Sequence, residues 1–302
     1  MIGELFRYWT TLAPERVRKY GYLKRLIALE FRERRCRGAW GPHLARTRQF
    51  IVKAIDLVPR PRSVVIVGSG LLLDVPLEDL ADRFERVYLV DMFHMPQVRR
   101  AVRRYFNVKL LAGDVTGLFA MLKEDKAPGP RTPPPSPRIP HLADADMIVS
   151  CNCLTQLAGP FNDLFRATRG FADADCDMLS AQVMEKHLAA ITHEAAGVGV
   201  VITDTERFAM QGDRIVSRTD LLKTVRLPPA PRPQFDEEWD WMIAPAPEDH
   251  PSHDMLHAVS ARIYERHVPE EKTEPKAEGS AEPITDLSAE DDLADGIAPP
   301  VR

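Results

Sequence analysis

The residue types that could do chemistry first occur together after the short β-branched run SVVIV at 63–67. Gly68-Ser69-Gly70 follows directly, and a second apolar run ends in Asp91, 23 residues after Gly68. Glycines let a backbone turn sharply and approach a ligand closely. A carboxylate that ends the next strand can accept hydrogen bonds from both hydroxyls of a ribose. The spacing predicts an adenosine-bearing cofactor across the first two strands; the alternative is a tight strand-to-helix turn.

The glycine pattern differs from a dinucleotide-binding fingerprint. GxGxxG requires a third glycine at the position where this chain has Leu73. An NAD-dependent oxidoreductase is the less favoured alternative. Gly68, Gly70 and Asp91 fit it, but the last predicted strands, described below, do not.

The elements that must position these residues alternate between strands and helices. Short apolar runs are typical of strands buried on both faces of a parallel sheet. Helical patterns at 77–84 and 95–106 lie between the first three of these runs. This alternation predicts a doubly wound α/β sheet. The five runs are SVVIV (63–67), VYLV (87–90), VKLLA (108–112), MIVSC (147–151) and VGVVIT (198–203).

After the fifth run the pattern changes. EWDWMIA at 238–244 and LHAVSARIYER at 256–266 predict two strands joined by a loop alone, which are most simply antiparallel. Before the first strand, apolar spacing predicts one helix up to Arg37 and a second helix after Pro42. We therefore predict an α/β fold with a doubly wound, mostly parallel seven-stranded sheet, an antiparallel C-terminal hairpin and an N-terminal helical cap.

With these motifs in order, residues 40–266 resemble the class I, Rossmann-like S-adenosylmethionine-dependent methyltransferases. The resemblance rests on VVIVGSG, VYLVD, LAGDV at 111–115 and ADMIVSCNCL at 145–154. The two closing strands look like that family's antiparallel strands six and seven, with which dinucleotide domains do not end.

The resemblance implies a set of residues that would contact S-adenosyl-L-methionine. The glycines would line its methionine part, and Asp91 would hold the ribose hydroxyls. Met92 would lie against the adenine, whose amino group Asp114 would bond. The residues just past the fourth strand would face the methyl donor and the substrate. The full set is Gly68, Ser69, Gly70, Asp91, Met92, Asp114, Val115, Cys151 and Asn152.

The glycine loop departs from the family pattern at two positions. Ile66 stands where the family usually has an acid, and Leu72 stands where it often has another glycine. Asp74 is the nearby acid that could compensate. Two hypotheses therefore stay open: a methyltransferase, and a non-catalytic methyltransferase-like binding module that has lost the cofactor.

Methyl transfer from a sulfonium needs little from a protein beyond positioning and, for some acceptors, a base. The sequence predicts no particular catalytic residue. The Asn-Pro-Pro-aromatic motif of adenine-N6 methyltransferases is absent, since the fourth strand runs into CNCLTQL. This favours a small-molecule methyl acceptor over a nucleobase. Asn152, Thr155 and Gln156 either line its pocket or cap the following helix.

Two other clusters contain metal-ligating residue types. Cys151 and Cys153 are separated by a single residue, and no CxxC pair of the kind that binds zinc exists. His253 and His257 have a spacing that suits a zinc-binding helix, but their segment enters a predicted strand. We predict buried thiols, a polar histidine loop and no metal.

Charge and proline divide the 302 residues into segments. Residues 1–62 contain 15 Lys and Arg against 5 Asp and Glu, a net charge of +10. Residues 270–302 contain 3 against 10, a net charge of −7. We predict basic N-terminal helices at 1–60, a methyltransferase-like domain at 61–268 and a disordered acidic tail at 269–302. A proline-rich stretch at 126–140 predicts an exposed insertion within that domain.

The same composition bounds location and partners. Four cysteines do not make a disulfide scaffold, and neither a secretory signal nor a membrane span is evident. A cytoplasmic location is therefore predicted. The basic helices could bind nucleic acid or an anionic membrane, but solvated helix faces packed on the next domain are the favoured interpretation.

Overall fold

A computed structural model describes residues 2–122 and 132–265, which belong to one compact unit. The predicted acidic tail lies outside the described residues, and the predicted domain boundaries stay predictions. The helices are α1 (Ile2–Thr10), α2 (Glu15–Lys19), α3 (Tyr22–Ile55), α4 (Leu77–Arg83), α5 (Pro96–Val102), α6 (Leu118–Met121), α7 (Gly159–Arg169) and α8 (Asp173–Ala189). The strands are β1 (Ser63–Val67), β2 (Arg86–Asp91), β3 (Val108–Ala112), β4 (Met147–Cys151), β5 (Val198–Gln211), β6 (Arg214–Asp220), β7 (Asp236–Ala244) and β8 (Asp254–Tyr264).

All but one of the strands follow a single path with the order β3-β2-β1-β4-β5-β8-β7. The first five in this order are parallel, and β8 lies antiparallel between β5 and β7. The predicted fold class is confirmed. Since β1 lies between β2 and β4, the loops that follow these three strands meet at one edge of the sheet.

An eighth strand, β6, was not predicted. It pairs antiparallel with the far half of β5 through a turn at Gly212, which adopts a φ of +58°. Every residue of β6 is exposed, so it lacks the apolar run by which the other strands were recognised.

The prediction of two helices separated at Pro42 is wrong, because α3 runs through this proline. An internal proline removes one helical hydrogen bond and crowds the preceding turn. Trp40 and His43, on either side of it, are almost fully buried. The Trp40 indole Nε1 donates to the Ile243 carbonyl of β7 at 2.9 Å. Packing against β7 thus holds the helix continuous.

The described part of the proline-rich insertion, 132–140, contains neither helix nor strand, as predicted. The prediction that it is exposed is wrong for Pro134 and Ile139, which are buried. Ile139 joins the apolar cluster on one face of the sheet, and the Arg138 amide donates to the Val115 carbonyl at 2.8 Å. This part of the insertion therefore packs onto the end of the sheet.

Alternating strand residues supply an apolar cluster to each face of the sheet. Ile66 faces the cluster that includes Phe50 of α3, while Val65 faces the cluster that includes Met184 of α8. Among the described residues, no helix is both long and apolar enough to cross a membrane.

Candidate functional site

The edge where β1 and β2 end brings Gly70 and Asp91 into direct contact. The Gly70 amide donates to Asp91 Oδ2 at 2.7 Å, and the Met92 amide donates to Oδ1 at 2.6 Å. Burial raises the pKa of this carboxyl, while the Gly70 hydrogen bond opposes the rise. A carboxylate has about four lone-pair positions, so acceptor capacity remains for a ligand beside these backbone amides.

Gly68 lies where the loops after β1 and β4 touch. Its φ is +80°, and a Cβ there would lie 2.6 Å from the Cys153 Cβ and 2.9 Å from the Cys151 carbonyl oxygen. Only glycine fits both the backbone conformation and the space. The close approach that the sequence predicted for Gly68 is therefore made by the β4 loop of the chain itself.

The two departures of the glycine loop have different structural outcomes. Ile66 is completely buried in the sheet core. Leu72 has a φ of +62°, a left-handed conformation that costs a residue with a Cβ about 1 kcal/mol or more. The loop thus keeps a glycine-like backbone at Leu72, whose side chain packs between the sheet and the N-terminal helices.

The N-terminal helices lie over the loops that follow β1 and β2. Leu23 and Ile27 of α3 form one apolar cluster with Phe93 and Met95, and Leu72 packs against it. These helices consequently cover one side of the loops at this edge of the sheet.

Asp114 acts as a local cap. Its Oδ1 accepts from the Thr116 amide at 2.9 Å, and its Oδ2 accepts from the Phe119 amide at 2.8 Å, at the start of α6. Tyr22 of α3 packs against Phe119. Burial raises the pKa of the Tyr22 hydroxyl, and the negative charges of Asp114 and Asp91 raise it further. Tyr22 therefore lies near both carboxylates predicted to contact the nucleoside.

Three buried polar atoms around this edge have no hydrogen-bond partner among the described residues: Ser69 Oγ, Asn152 Oδ1 and His94 Nδ1. His94 donates from Nε2 to the Leu111 carbonyl at 3.2 Å, which leaves Nδ1 as an acceptor. A buried polar group without a partner is costly. The unpartnered atoms fit a site that a polar ligand would complete.

Asn152 links the β1 and β4 loops. It has a left-handed φ of +46°, which asparagine tolerates. Its Nδ2 donates to Asp74 Oδ2 at 2.6 Å. Burial raises the pKa of Asp74, which the hydrogen bond from Asn152 opposes. Asp74 is the acid that the sequence offers as compensation for the altered glycine loop, and Asn152 holds it in place.

His43 of α3 completes this polar cluster. The Trp239 indole donates to His43 Nδ1 at 3.0 Å, and Trp241 stacks on the ring with centroids 4.1 Å apart. Burial lowers the pKa of His43 to about 3. A neutral ring that accepts at Nδ1 carries its proton on Nε2. Asn152 Nδ2 lies 3.4 Å from this nitrogen and is a donor too, so this contact brings the two side chains together without a hydrogen bond between them.

An acid–imidazole pair lies beside it on β5 and β8. His257 Nδ1 donates to Asp204 Oδ2 at 2.9 Å, and Thr155 donates to the other carboxylate oxygen. His257 also packs edge-on against Trp241. Both carboxylate oxygens are therefore engaged within the protein.

The structure brings some of the predicted site residues together. Gly70 and Asp91 touch, Gly68 packs against the loop that carries Asn152, and Met92 and Val115 are buried near the same edge. The Asn152 and Thr155 side chains donate hydrogen bonds to the Asp74 and Asp204 carboxylates instead of capping a helix.

Sequence reasoning missed His43, Asp204 and the two tryptophans as parts of one polar cluster. The sequence predicts His257 as part of a polar histidine loop, whereas the structure places it within strand β8. The available signal was the apolar-aromatic pattern of EWDWMIA, which shows a strand but not its partners.

The cysteines are free, and burial raises the pKa of Cys153 to about 12. Burial also raises the pKa of Cys151 well above its usual range. No group of three or more metal-ligating side chains occurs within residues 2–122 and 132–265.

No protein-family model matches the sequence, and no curated protein is similar to it in sequence. Several solved structures are distantly similar. The 1,6-didemethyltoxoflavin-N1-methyltransferase of Burkholderia thailandensis, with 1,6-didemethyltoxoflavin and S-adenosylhomocysteine bound, is 14% identical, with 78% of this chain and 88% of that chain covered and a TM-score of 0.31. An rRNA methylase from Streptococcus thermophilus is 10% identical, with 72% and 94% covered and a TM-score of 0.30.

Spermidine synthase from Thermotoga maritima is 12% identical, with 70% of this chain covered and a TM-score of 0.30. The chain spans 55% of the length of that synthase. Similarities at this level leave the substrate and the site residues open. The strand order, with antiparallel β8 between β5 and β7, is that of a mostly parallel, Rossmann-like α/β sheet with an antiparallel end.

Proposed function

We propose that the protein is an S-adenosylmethionine-dependent methyltransferase. The observation that carries this proposal is the contact between the Gly70 amide and the Asp91 carboxylate at the ends of two central parallel strands. In doubly wound sheets, ligands bind beyond the carboxyl ends of such strands. The unpartnered Ser69, His94 and Asn152 atoms at this edge support the same proposal.

The cofactor would supply a methyl group on a positively charged sulfur. Asp91, held in place by two backbone amides, would accept hydrogen bonds from the ribose hydroxyls. Ser69 and Asn152 would bond the polar groups of the methionine part. Met92 would supply apolar contact to the adenine, which buried methionines make well.

The acceptor is proposed to be a small molecule held beside Asn152. His43 and Asp204 lie in the polar cluster on this side, and each already has partners within the protein. Because these partners engage polar atoms of both side chains, His43 and Asp204 would hold this side of the site in place without binding the acceptor, and no residue is assigned as the base.

A second candidate function is a non-catalytic methyltransferase-like binding module. It is favoured by the packing of Cys153 against Gly68 and by the commitment of the Asp114 carboxylate to α6. In this case the β4 loop occupies the space that the cofactor's methionine part would need.

Isothermal titration with S-adenosylhomocysteine separates the two candidates. We expect saturable heat for the wild-type chain and at least about tenfold weaker binding for Asp91→Asn, because one charge-assisted acceptor is lost. Asp79→Asn removes the same charge from the exposed surface of α4 and should bind as the wild type does.

Thermal unfolding of the Asp91→Asn variant shows whether it is folded, and Asp91→Glu restores the carboxylate if the amide variant is not. Absence of heat for the folded wild-type chain at high micromolar ligand would exclude the methyltransferase and favour the non-catalytic module. Equal affinities of Asp91→Asn and the wild type would remove Asp91 from the site.

A further inference from the structure

The first helix presents its apolar face to solvent. Ile2, Leu5, Phe6 and Trp9 follow the i, i+3, i+4, i+7 spacing of one helical face, and the exposed Leu12 lies just after the end of the helix. These side chains are between 60% and 91% exposed. A surface helix normally turns such a face toward the core. In α1 the orientation is the reverse.

Polar contacts hold α1 in this orientation. Arg7 donates to Glu30 of α3 at 3.2 Å and to Gln97 of α5 at 2.6 Å. Glu4 pairs with Arg35 at 3.5 Å. The charged side of the helix thus faces the protein, and its apolar side is fixed outward.

Close packing and a capping arginine secure both ends of α1. A Cβ at Gly3 would lie 3.0 Å from the Phe31 ring, so the helix approaches α3 closely there. At the other end, the Arg18 guanidinium donates to the Tyr8 and Thr11 carbonyls and lies over the Tyr8 ring. The apolar face is therefore a defined surface of the folded protein.

Exposed positive charge lies on the next helix. Arg16 and Lys19 are exposed residues of α2, whose Arg18 contacts the end of α1. Among the described residues, neither has an acidic partner. They belong to a segment, residues 1–62, with a net charge of +10.

We propose that α1 and α2 dock the protein on an anionic membrane surface, with the apolar face of α1 inserted among the lipids. Apolar and aromatic side chains beside exposed cations are the chemistry of an interfacial amphipathic helix. Phe and Trp favour the boundary between headgroups and acyl chains. A nucleic acid would use the cations, but its phosphates offer nothing to five large apolar side chains.

Vesicle sedimentation of the full chain, tagged only at its C-terminus, tests the proposal. We expect binding to vesicles of phosphatidylcholine and phosphatidylglycerol in equal parts, weaker binding to phosphatidylcholine alone, and weakening with salt. The double variant Phe6→Ser/Trp9→Ser should bind at least about tenfold more weakly to both. Arg16→Gln/Lys19→Gln should lose affinity only for the anionic vesicles.

Phe106→Ser is the matched control, because Phe106 is a fully exposed aromatic residue outside the N-terminal helices. It should bind as the wild type does. Trp9 is the one exposed tryptophan of four, so vesicles should shift tryptophan emission to the blue in the wild type and not in Trp9→Phe. Substitution of exposed side chains should leave the thermal unfolding temperature unchanged.

Several outcomes overturn the proposal. These are no vesicle binding by the wild type, equal binding by Phe6→Ser/Trp9→Ser, or equal losses in Phe106→Ser. A lipid-free dimer that dissociates in Phe6→Ser/Trp9→Ser would show that a second copy covers the face instead. None of these results depends on cofactor binding, so the docking surface and the methyltransferase proposal fail independently.

Discussion

Acidification should destabilise the protein through two buried histidines. Burial lowers the pKa of His43 from 6.5 to about 3 and that of His187 from 6.5 to about 4. Between pH 6.5 and these values, the unfolded chain binds a proton at each position and the folded chain does not. The free energy of unfolding therefore falls as the pH falls through this range.

The magnitude follows from the two pKa values of each histidine. At about pH 5, the unfolded imidazole gains about 2 kcal/mol from protonation that the folded imidazole does not, and this holds for each position. The raised pKa values of Asp74 and Asp91 act in the opposite direction, because the folded state then binds the extra proton. The pH dependence of wild-type stability is therefore the histidine contribution minus the aspartate contribution. A variant that replaces one histidine isolates the contribution of that histidine.

His187→Gln is the sharpest variant, since a glutamine amide can replace the 2.9 Å hydrogen bond between Ser150 Oγ and His187 Nε2. From about pH 7 to about pH 5, this variant should lose about 2 kcal/mol less stability than the wild type. Urea unfolding at both pH values, followed by tryptophan fluorescence, measures the difference. His193→Gln, which removes a solvent-exposed imidazole, is the control. Equal losses in His187→Gln and the wild type would refute a neutral, buried His187.

Two further predictions concern the contact between the β1 and β4 loops. Gly68→Ala should destabilise the protein by about 2–5 kcal/mol in urea unfolding, from left-handed strain plus overpacking. Gly170→Ala, at a left-handed glycine with open space around it, should cost only the strain of about 1–2 kcal/mol, and equal costs would contradict the contact. Cys153 is half-buried and its thiol has a raised pKa, so it should react with a thiol reagent much more slowly in the native protein than in urea. Rapid native labelling that Cys153→Ser abolishes would show that the space around this thiol is open to solvent.

Strands buried on both faces could be predicted from the sequence, whereas those without that burial could not. SVVIV and MIVSC are recognisable because every residue in them is buried. The exposed strand β6 contains only the apolar pair Ile215-Val216, so the Gly212-Asp213 turn before it was the main local signal. Pro42 gave a misleading signal, because the burial of Trp40 against β7 overrides a local preference against helix.

The site residues also divide into those that could be predicted from sequence and those that could not. Gly70 and Asp91 could be predicted to lie together, because the loops after neighbouring parallel strands meet at one edge of the sheet. The contact between His43 and Trp239 joins residues 196 positions apart, and neither periodicity nor composition encodes such a distance. A cluster of this kind is visible only once the path of α3 across β7 is fixed.

The charge of the N-terminal segment has two parts with different physical consequences. Several of its cations pair with acids far along the chain, and exposed pairs of this kind contribute only about 0–1 kcal/mol each. These pairs are Arg25 with Asp163, Arg32 with Asp249, Arg35 with Glu248 and Lys53 with Glu237. They join the helices to the sheet domain and use up part of the +10 charge. Arg16 and Lys19, which have no acidic partner among the described residues, lie instead on α2, the helix that follows α1. Charge pairing within the fold therefore accounts for much of the basic character of α3, whereas the two exposed cations of α2 stay available to the membrane surface proposed above.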